Sequence, residues 1–414
     1  MTEISRRGFV GGAIGAAGLF VGGATGFGIA KTTEPATTPA ATDQVVAFYG
    51  PHQAGIATPA QDRLAFAAFD LTTRDVEAVK QMLGTWAAAA ALMSEGRPIG
   101  PIETAPQAPP VDTGEALGLP PAYLTVTVGF GPSMFDDRYG LASRRPAALA
   151  DIPALPGDEL EPERSNGDIG VQACSNDPQV AFHVIRNFAR LARGTAVMRW
   201  SQLGFGRTSS TSTTQSTPRN LMGFKDGTNN IKIQDTAQFE DFVWVGEETD
   251  QPWMKGGSYL VTRRIRMTIE NWDTDFLADQ ENVFGRFKVS GAPLTGTSEF
   301  DHVDLAARTH SGKPVIPLNA HIRLAAPSTN GGQMILRRGY SFTDGIDPVT
   351  GLLDAGLFFI AYQKDPRKQF VPIQAKLGQR DNLNEYIRHT SSALFAVPPG
   401  ISHAGDWFGK ELFT

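Results

Sequence analysis

The chain has 414 residues, 41% of them hydrophobic and 19% charged, with a formal net charge of −6 at pH 7. This length suits about two domains with sizeable cores, and without a basic stripe the composition argues against a nucleic-acid binder. Cys174 is the only cysteine, so intramolecular disulfides, cysteine-rich zinc sites and iron–sulfur clusters within one chain are excluded and a small buried thiol is its simplest role.

Ser5-Arg6-Arg7-Gly8-Phe9-Val10 has the twin-arginine pattern; an apolar Gly/Ala-rich run, Gly11 to Ala30, and a Thr/Pro/Ala segment to about Thr42 follow it. The run nearly has the length of a membrane-spanning helix, but its glycines and low hydrophobicity favour a removable export signal over an anchor. The expectation is export to the periplasm or beyond, with the twin-arginine translocase as a transient partner. That route carries folded proteins and suits a chain that acquires a cofactor first.

Residues 43–215 are expected to form a first domain. Val45 to Phe48 reads as a short strand before the turn Tyr49 to Ile56, and Leu64 to Leu71 as a second strand. Asp75 to Ser94, with Val76, Val79, Met82, Leu83 and Trp86 at helical spacing, reads as a long helix. Leu124 to Phe130 alternates with period two, and Asp168 to Gln172 is a further short strand. Asp177-Pro178 supplies an N-cap acceptor and a first-turn proline for a helix whose apolar face holds Ala181, Val184, Ile185, Phe188 and Leu191. Val197 to Phe205 closes the unit. Strand, helix, strand, strand, helix, strand is the order of a ferredoxin-like α+β fold.

Thr208 to Thr217 is poor in apolar residues and reads as an exposed connection. In the second domain, residues 216–414, Ser258 to Glu270 is an alternating strand, Asp273 to Phe284 a helix, and His321 to Ala325 a loop or short helical turn. Met334 to Tyr340 and Leu357 to Gln363 read as strands, and Phe370 to Leu377 opens the last helical region. The second half thus repeats the α+β plan.

Two stretches carry chemistry when taken together. His321 to Phe342, HIRLAAPSTNGGQMILRRGYSF, holds a histidine and an arginine pair; about a hundred residues upstream lies Gly223-Phe224-Lys225-Asp226-Gly227. A haem iron that cleaves peroxide needs a basic ligand on one face, and neutral imidazole supplies it. The other face needs a general base and a fixed cation for the charge on the departing oxygen. His321, Asp226, and Arg337 or Arg338 are those three groups, and glycines at 223 and 227 let backbone approach a flat ligand. Alone, each residue has an ordinary structural reading; the combination is specific.

The ordered blocks Phe48 to Ile56, Cys174 to His183, Asn220 to Asn230, Gly257 to Trp272, His321 to Phe342 and Asn382 to His389, with Gly-x-x-Asp-Gly at Gly223 to Gly227, resemble the dye-decolourising peroxidase family. The likeness spans essentially the whole mature chain and is greatest to the exported deferrochelatase/peroxidase branch. It implies an α+β fold of two ferredoxin-like domains with antiparallel sheets, of the dimeric α+β barrel type, and one haem b held mainly by the second. It also implies a peroxidase that uses hydrogen peroxide to oxidise dyes and other aromatic or phenolic donors through an oxyferryl intermediate.

By this resemblance His321 matches the proximal iron ligand, Asp226 the distal aspartate, and Arg337 the distal arginine, with Arg338 next in line. Gly223, Phe224, Lys225 and Gly227 would flank the cofactor. Glu385, ahead of Asp381, would accept the second ring N–H of His321. Phe359 with Phe358 would line the distal pocket, and Arg323 or Arg207 would meet the haem carboxylates. Trp200, Trp253, Trp272, Tyr340 and Tyr386 are expected to pass electrons near the surface. Haem processing for iron acquisition, or a structural or cargo role, are the other classes. A distal acid/base and cation favour the peroxidase, because a passive carrier needs neither. Nothing in the sequence sets the oligomeric state.

Overall fold

A computed structural model describes residues 44–414; the expected twin-arginine signal and linker lie outside the described residues. Nine strands build one antiparallel sheet: β1 (Arg63–Leu71), β2 (Thr125–Phe130), β3 (Ile169–Ser175), β4 (Ala196–Arg207), β5 (Ser258–Met267), β6 (Leu336–Arg337), β7 (Tyr340–Ile346), β8 (Leu353–Gln363) and β9 (Ile387–Val397). Their order is β5-β9-β2-β3-β1-β4-β7-β8-β6, and an additional β5–β8 pairing closes eight of them into a barrel. Each half of the chain contributes four barrel strands in the same relative order, β4-β1-β3-β2 and β9-β5-β8-β7.

The two seams between the halves are thin. β2 meets β9 at Phe130 and Ala396, and β4 meets β7 at Phe205 with Ser341 and Arg207 with Tyr340. Within a half the ladders are long, as in β5 and β9 from Ser258 with Val397 to Met267 with Ile387. An eight-stranded barrel is just wide enough for side chains to fill. Phe66, Trp200, Phe358, Phe395, Tyr340 and Tyr362 do so here.

Helices cover the barrel outside. α1 (Val76–Ser94) starts where the Asp75 carboxylate accepts the Glu77 N–H, and α2 (Pro178–Leu191) where Asp177 accepts those of Gln179 and Val180. Their apolar faces meet through Trp86 stacked on Phe188, ring centroids 4.5 Å apart. In the second half come α3 (Thr236–Phe242), α4 (Ile269–Trp272), α5 (Leu277–Phe284), α6 (His321–Ala325) and α7 (Phe370–Arg380). Among the described residues no helix is long and apolar enough to cross a membrane.

Four local expectations change. Val45 to Phe48 is irregular, since no strand lies alongside to take its backbone bonds. The helix expected from Asp273 begins at Leu277, after the separate turn α4. Met334 to Tyr340 is not one strand: it breaks between β6 and β7 at Arg338-Gly339, and a Cβ on Gly339 would lie 2.8 Å from Thr208 Oγ1. Thr208 to Ser212, read as exposed, is buried at 0–2% exposure. Several of its polar groups are paired: Thr208 N–H donates to Gly339 C=O and Ile233 N–H to Thr211 C=O, while Thr211 Oγ1 accepts the Ala60 N–H; the Thr208 and Ser209 hydroxyls are buried without a partner. The run is wedged between the barrel and the loop after it.

Candidate active site

The loop Asn220–Asn230, strands β5, β6 and β8, and helices α5, α6 and α7 enclose a cavity of about 710 Å³. Its apolar walls include Ile265, Met267, Phe284, Leu357, Phe359, Leu377 and Leu383, and its polar lining includes Asp226, His321, Arg337 and Asp381. This volume lies within the usual range for cofactor pockets.

His321 opens α6, and its side chain is 28% exposed toward this space. Its Nδ1 lies 2.6 Å from Asp381 Oδ2, so the imidazole donates there and Nε2 is left for another partner. Burial disfavours the imidazolium, but the charge and hydrogen bond of Asp381 prevail and raise the His321 pKa overall. A carboxylate in this position fixes the ring and strengthens Nε2 as a metal ligand. Asp381 is itself held in place: it ends α7, and its Oδ1 accepts the Leu383 N–H at 2.9 Å. The expected acceptor Glu385 is not the partner. It lies in the turn that follows, and Asp381, 2% exposed in its side chain, occupies the position.

Asp226 and Arg337 meet as an ion pair, with Arg337 Nη2 2.8 Å from Asp226 Oδ1. The guanidinium also lies 5.7 Å from the centroid of the Phe359 ring, which lines the same cavity. Arg338 is excluded from this role. Successive side chains of an extended chain take opposite faces, and Arg338 turns into the barrel, fully buried, bonding Ile56 C=O, Thr58 C=O and Gln61 Oε1. Phe358 differs from Phe359 in the same way and packs in the barrel interior.

Of the loop residues, Lys225 and Gly227 line the cavity, whereas Gly223 and Phe224 do not. Phe224 is a buried support, stacked on Phe284 at 4.2 Å. Gly227 has φ +74°, and a Cβ there would sit 2.9 Å from Ser209 Cα, so the loop seats on the buried serine run only with glycine. Lys225 pairs with Glu299. Burial alone would raise the Glu299 pKa, but hydrogen bonds from Lys225, Thr217 and Thr228 and the Lys225 charge hold it below the usual value.

Arg323 and Arg207 are not at the site: Arg323 bonds the carbonyls of Ile316 and Pro317, and Arg207 pairs with Asp62. The cavity cation that sequence reasoning missed is Arg286, which donates to Gly291 C=O and Glu299 C=O. His302 and His389 also line the cavity. Only the fold brings these residues in; no sequence spacing marks them. The expected surface relays are interior residues: Trp200, Trp253, Trp272, Tyr340 and Tyr386 are all buried.

One histidine with a carboxylate behind it and an aspartate–arginine pair share a single apolar cavity. Two family models match in sequence, described as Dyp-type peroxidase, N-terminal, over residues 53–206 and Dyp-type peroxidase, C-terminal, over residues 217–402. The chain belongs to the Dyp-type peroxidase family. It is 36% identical over 380 residues to the deferrochelatase of Escherichia coli (strain K12), covering 91% of this chain and 89% of that protein. Ferric DtpA from Streptomyces lividans matches with 41% identity and a TM-score of 0.82, over 91% of this chain and 99% of that one. A DyP-type peroxidase from Cellulomonas bogoriensis matches with 38% identity and a TM-score of 0.80, over 90% and 99%. As a member of this family the chain is a haem-dependent peroxidase, an oxidoreductase.

Proposed function

We propose that the cavity between α6, α7 and β8 is the haem pocket and that Asp226 and Arg337 are its distal residues. The observation that carries this reading is the 2.8 Å Asp226–Arg337 pair in the cavity that also holds the Asp381-bonded His321. The lining fits haem: apolar walls for a flat macrocycle, a histidine with one nitrogen free, and Arg286 for a carboxylate. His321 Nε2 would hold the iron and Arg286 a carboxylate. When bound, haem supplies the iron that takes up the oxidising equivalents of hydrogen peroxide.

The chain's own residues do the rest. Asp226 takes a proton from one peroxide oxygen and returns it to the other. Arg337 stabilises the negative charge on the departing oxygen and keeps Asp226 oriented, and the surrounding apolar wall lowers the dielectric in which both act. In stopped-flow mixing with peroxide, Asp226→Asn is expected to slow the reaction by ~10²–10⁴-fold and Arg337→Leu by ~10²–10³-fold. Full rates in both variants would mean that the O–O bond breaks elsewhere. His321→Ala is expected to lose the Soret band of the loaded protein.

The same reading takes dyes and phenolic or other aromatic compounds as electron donors. A second reading, haem processing for iron acquisition, is favoured by the 36% identity to a deferrochelatase. Incubation with haem and reductant distinguishes the two: iron-free porphyrin as product supports processing, and intact haem after peroxide turnover supports peroxidation. Each half is taken to be a ferredoxin-like domain, 43–215 and 216–414, a reading supported by the shared strand order of the halves. Export through the twin-arginine translocase to the periplasm or beyond is read from Arg6 and Arg7. Replacing both with lysine should retain the precursor in the cytoplasm.

A further inference from the structure

The loop that carries Asp226 begins and ends with a nearly buried asparagine, Asn220 at 8% and Asn230 at 9% exposure. Asn230 makes with its side chain the two bonds that a neighbouring strand would make. Its Oδ1 accepts the Arg337 N–H at 2.8 Å, and its Nδ2 donates to the Arg337 C=O at 2.9 Å. Nδ2 also donates to Ser210 C=O at 3.2 Å, which ties it to the buried serine run.

β6 needs such a partner. It is two residues long and paired on one side only, with Leu336 opposite Tyr362 and Arg337 opposite Ala361 of β8. At the other end of the loop, Asn220 Oδ1 gathers the N–H groups of Met222 and Phe224, while its Nδ2 donates to Asp226 Oδ2 at 3.2 Å. The bonds form a closed circuit: Asn220 holds Asp226, Asp226 pairs with Arg337, and Asn230 holds the backbone of Arg337.

We propose that Asn230 is a positioning residue for the distal pair, acting as a one-residue strand that fixes the Arg337 backbone relative to the Asp226 loop. This rests on the reading of Arg337 as the distal cation. Without Asn230 the Arg337 amide and carbonyl lose their partner on that edge, and the side chain loses its registration with Asp226. A residue that merely satisfies buried backbone would be felt in stability and haem retention alone. A positioning residue is felt in what Arg337 can donate to.

Fluoride is the probe, because it binds ferric haem and accepts a hydrogen bond from a distal cation. The haem-loaded full chain and its Asn230→Ala, Asn230→Asp and Arg337→Leu variants are titrated with fluoride by absorbance, with haem content and melting temperature measured alongside. The expected result is that Asn230→Ala weakens fluoride binding per bound haem by about tenfold or more, the scale seen for outer-shell partners. Asn230→Asp, which keeps the acceptor for the Arg337 N–H, should fall between it and the parent. If Asn230→Ala loads no haem, the comparison rests on Asn230→Asp, which must weaken binding. Parent-like affinity in the haem-loaded asparagine variants beside a loss in Arg337→Leu would overturn the positioning role while leaving Arg337 distal. Parent-like affinity in Arg337→Leu would instead remove the distal reading, and this proposal with it.

Discussion

The residues that separate a working site from scaffold sit next to each other in sequence. Arg337 and Arg338 are both arginines on one short extended stretch, yet one pairs with Asp226 in the cavity and the other bonds three acceptors of the opposite half inside the barrel. Arg338→Met should therefore act on stability. It leaves Ile56 C=O and Gln61 Oε1 without their donor, at ~1–3 kcal/mol for each buried unsatisfied group, while Thr58 C=O keeps the Thr211 hydroxyl. A thermal melt should show the loss, while the peroxide rate per bound haem should stay at the parent value. A slowed peroxide reaction with normal melting would reverse the roles of the two arginines. Asp381 and Glu385 form a second such pair. Asp381→Asn removes the carboxylate behind His321 and should weaken haem affinity or activity by ~10–100-fold. Glu385→Gln should leave both unchanged, and haem titration of the two variants decides between them.

At the scale of elements, the site depends on how α7 and β9 meet. His389 of β9 is buried and lines the cavity, with its Nε2 3.1 Å from Gln374 Nε2 of α7. Burial, then the nearby Arg263 charge, depresses its pKa to about 3. The sign follows directly. Below the ordinary histidine value the unfolded chain binds a proton that the folded chain refuses, so this group reduces stability as pH falls from about 6.5 toward 3. Near pH 4.5 the deficit is roughly 2–3 kcal/mol, at about 1.4 kcal/mol per unit. Denaturant unfolding of His389→Gln and the parent at neutral pH and near pH 4.5 should show the acid loss reduced in the variant. An equal acid loss in both would place the acid sensitivity elsewhere.

On the scale of the molecule, the halves share one closed barrel. The seams β2–β9 and β4–β7 are short, but Arg338, bonded to Ile56, Thr58 and Gln61, crosses between the halves through the barrel interior. Neither half closes its own sheet edges. Calorimetry of the haem-loaded protein should therefore record one cooperative transition, with calorimetric and van't Hoff enthalpies in agreement. Two resolved transitions would mean that the halves unfold independently and that the barrel closure contributes little.

By itself the sequence determined what depends on local chemistry and short-range pattern. The apolar residues at helical spacing placed α1, the capping Asp177 and the apolar face behind it placed α2, and the alternation of Leu124 to Phe130 placed β2. The combination of His321, Asp226 and an arginine pair pointed to haem chemistry, and the fold places His321, Asp226 and Arg337 in one cavity. What only the tertiary structure decided depends on which neighbour arrives from far along the chain. One residue of register separates Arg337 in the cavity from Arg338 in the barrel, and the identity of the residues alone does not reveal which side is which. Asp381 rather than Glu385 reaches His321 because α7 ends against α6. The polar run Thr208 to Ser212 can be buried because partners at Ala60, Ile233 and Gly339 meet several of its hydrogen-bonding groups, and those partners are adjacent only once the barrel has closed.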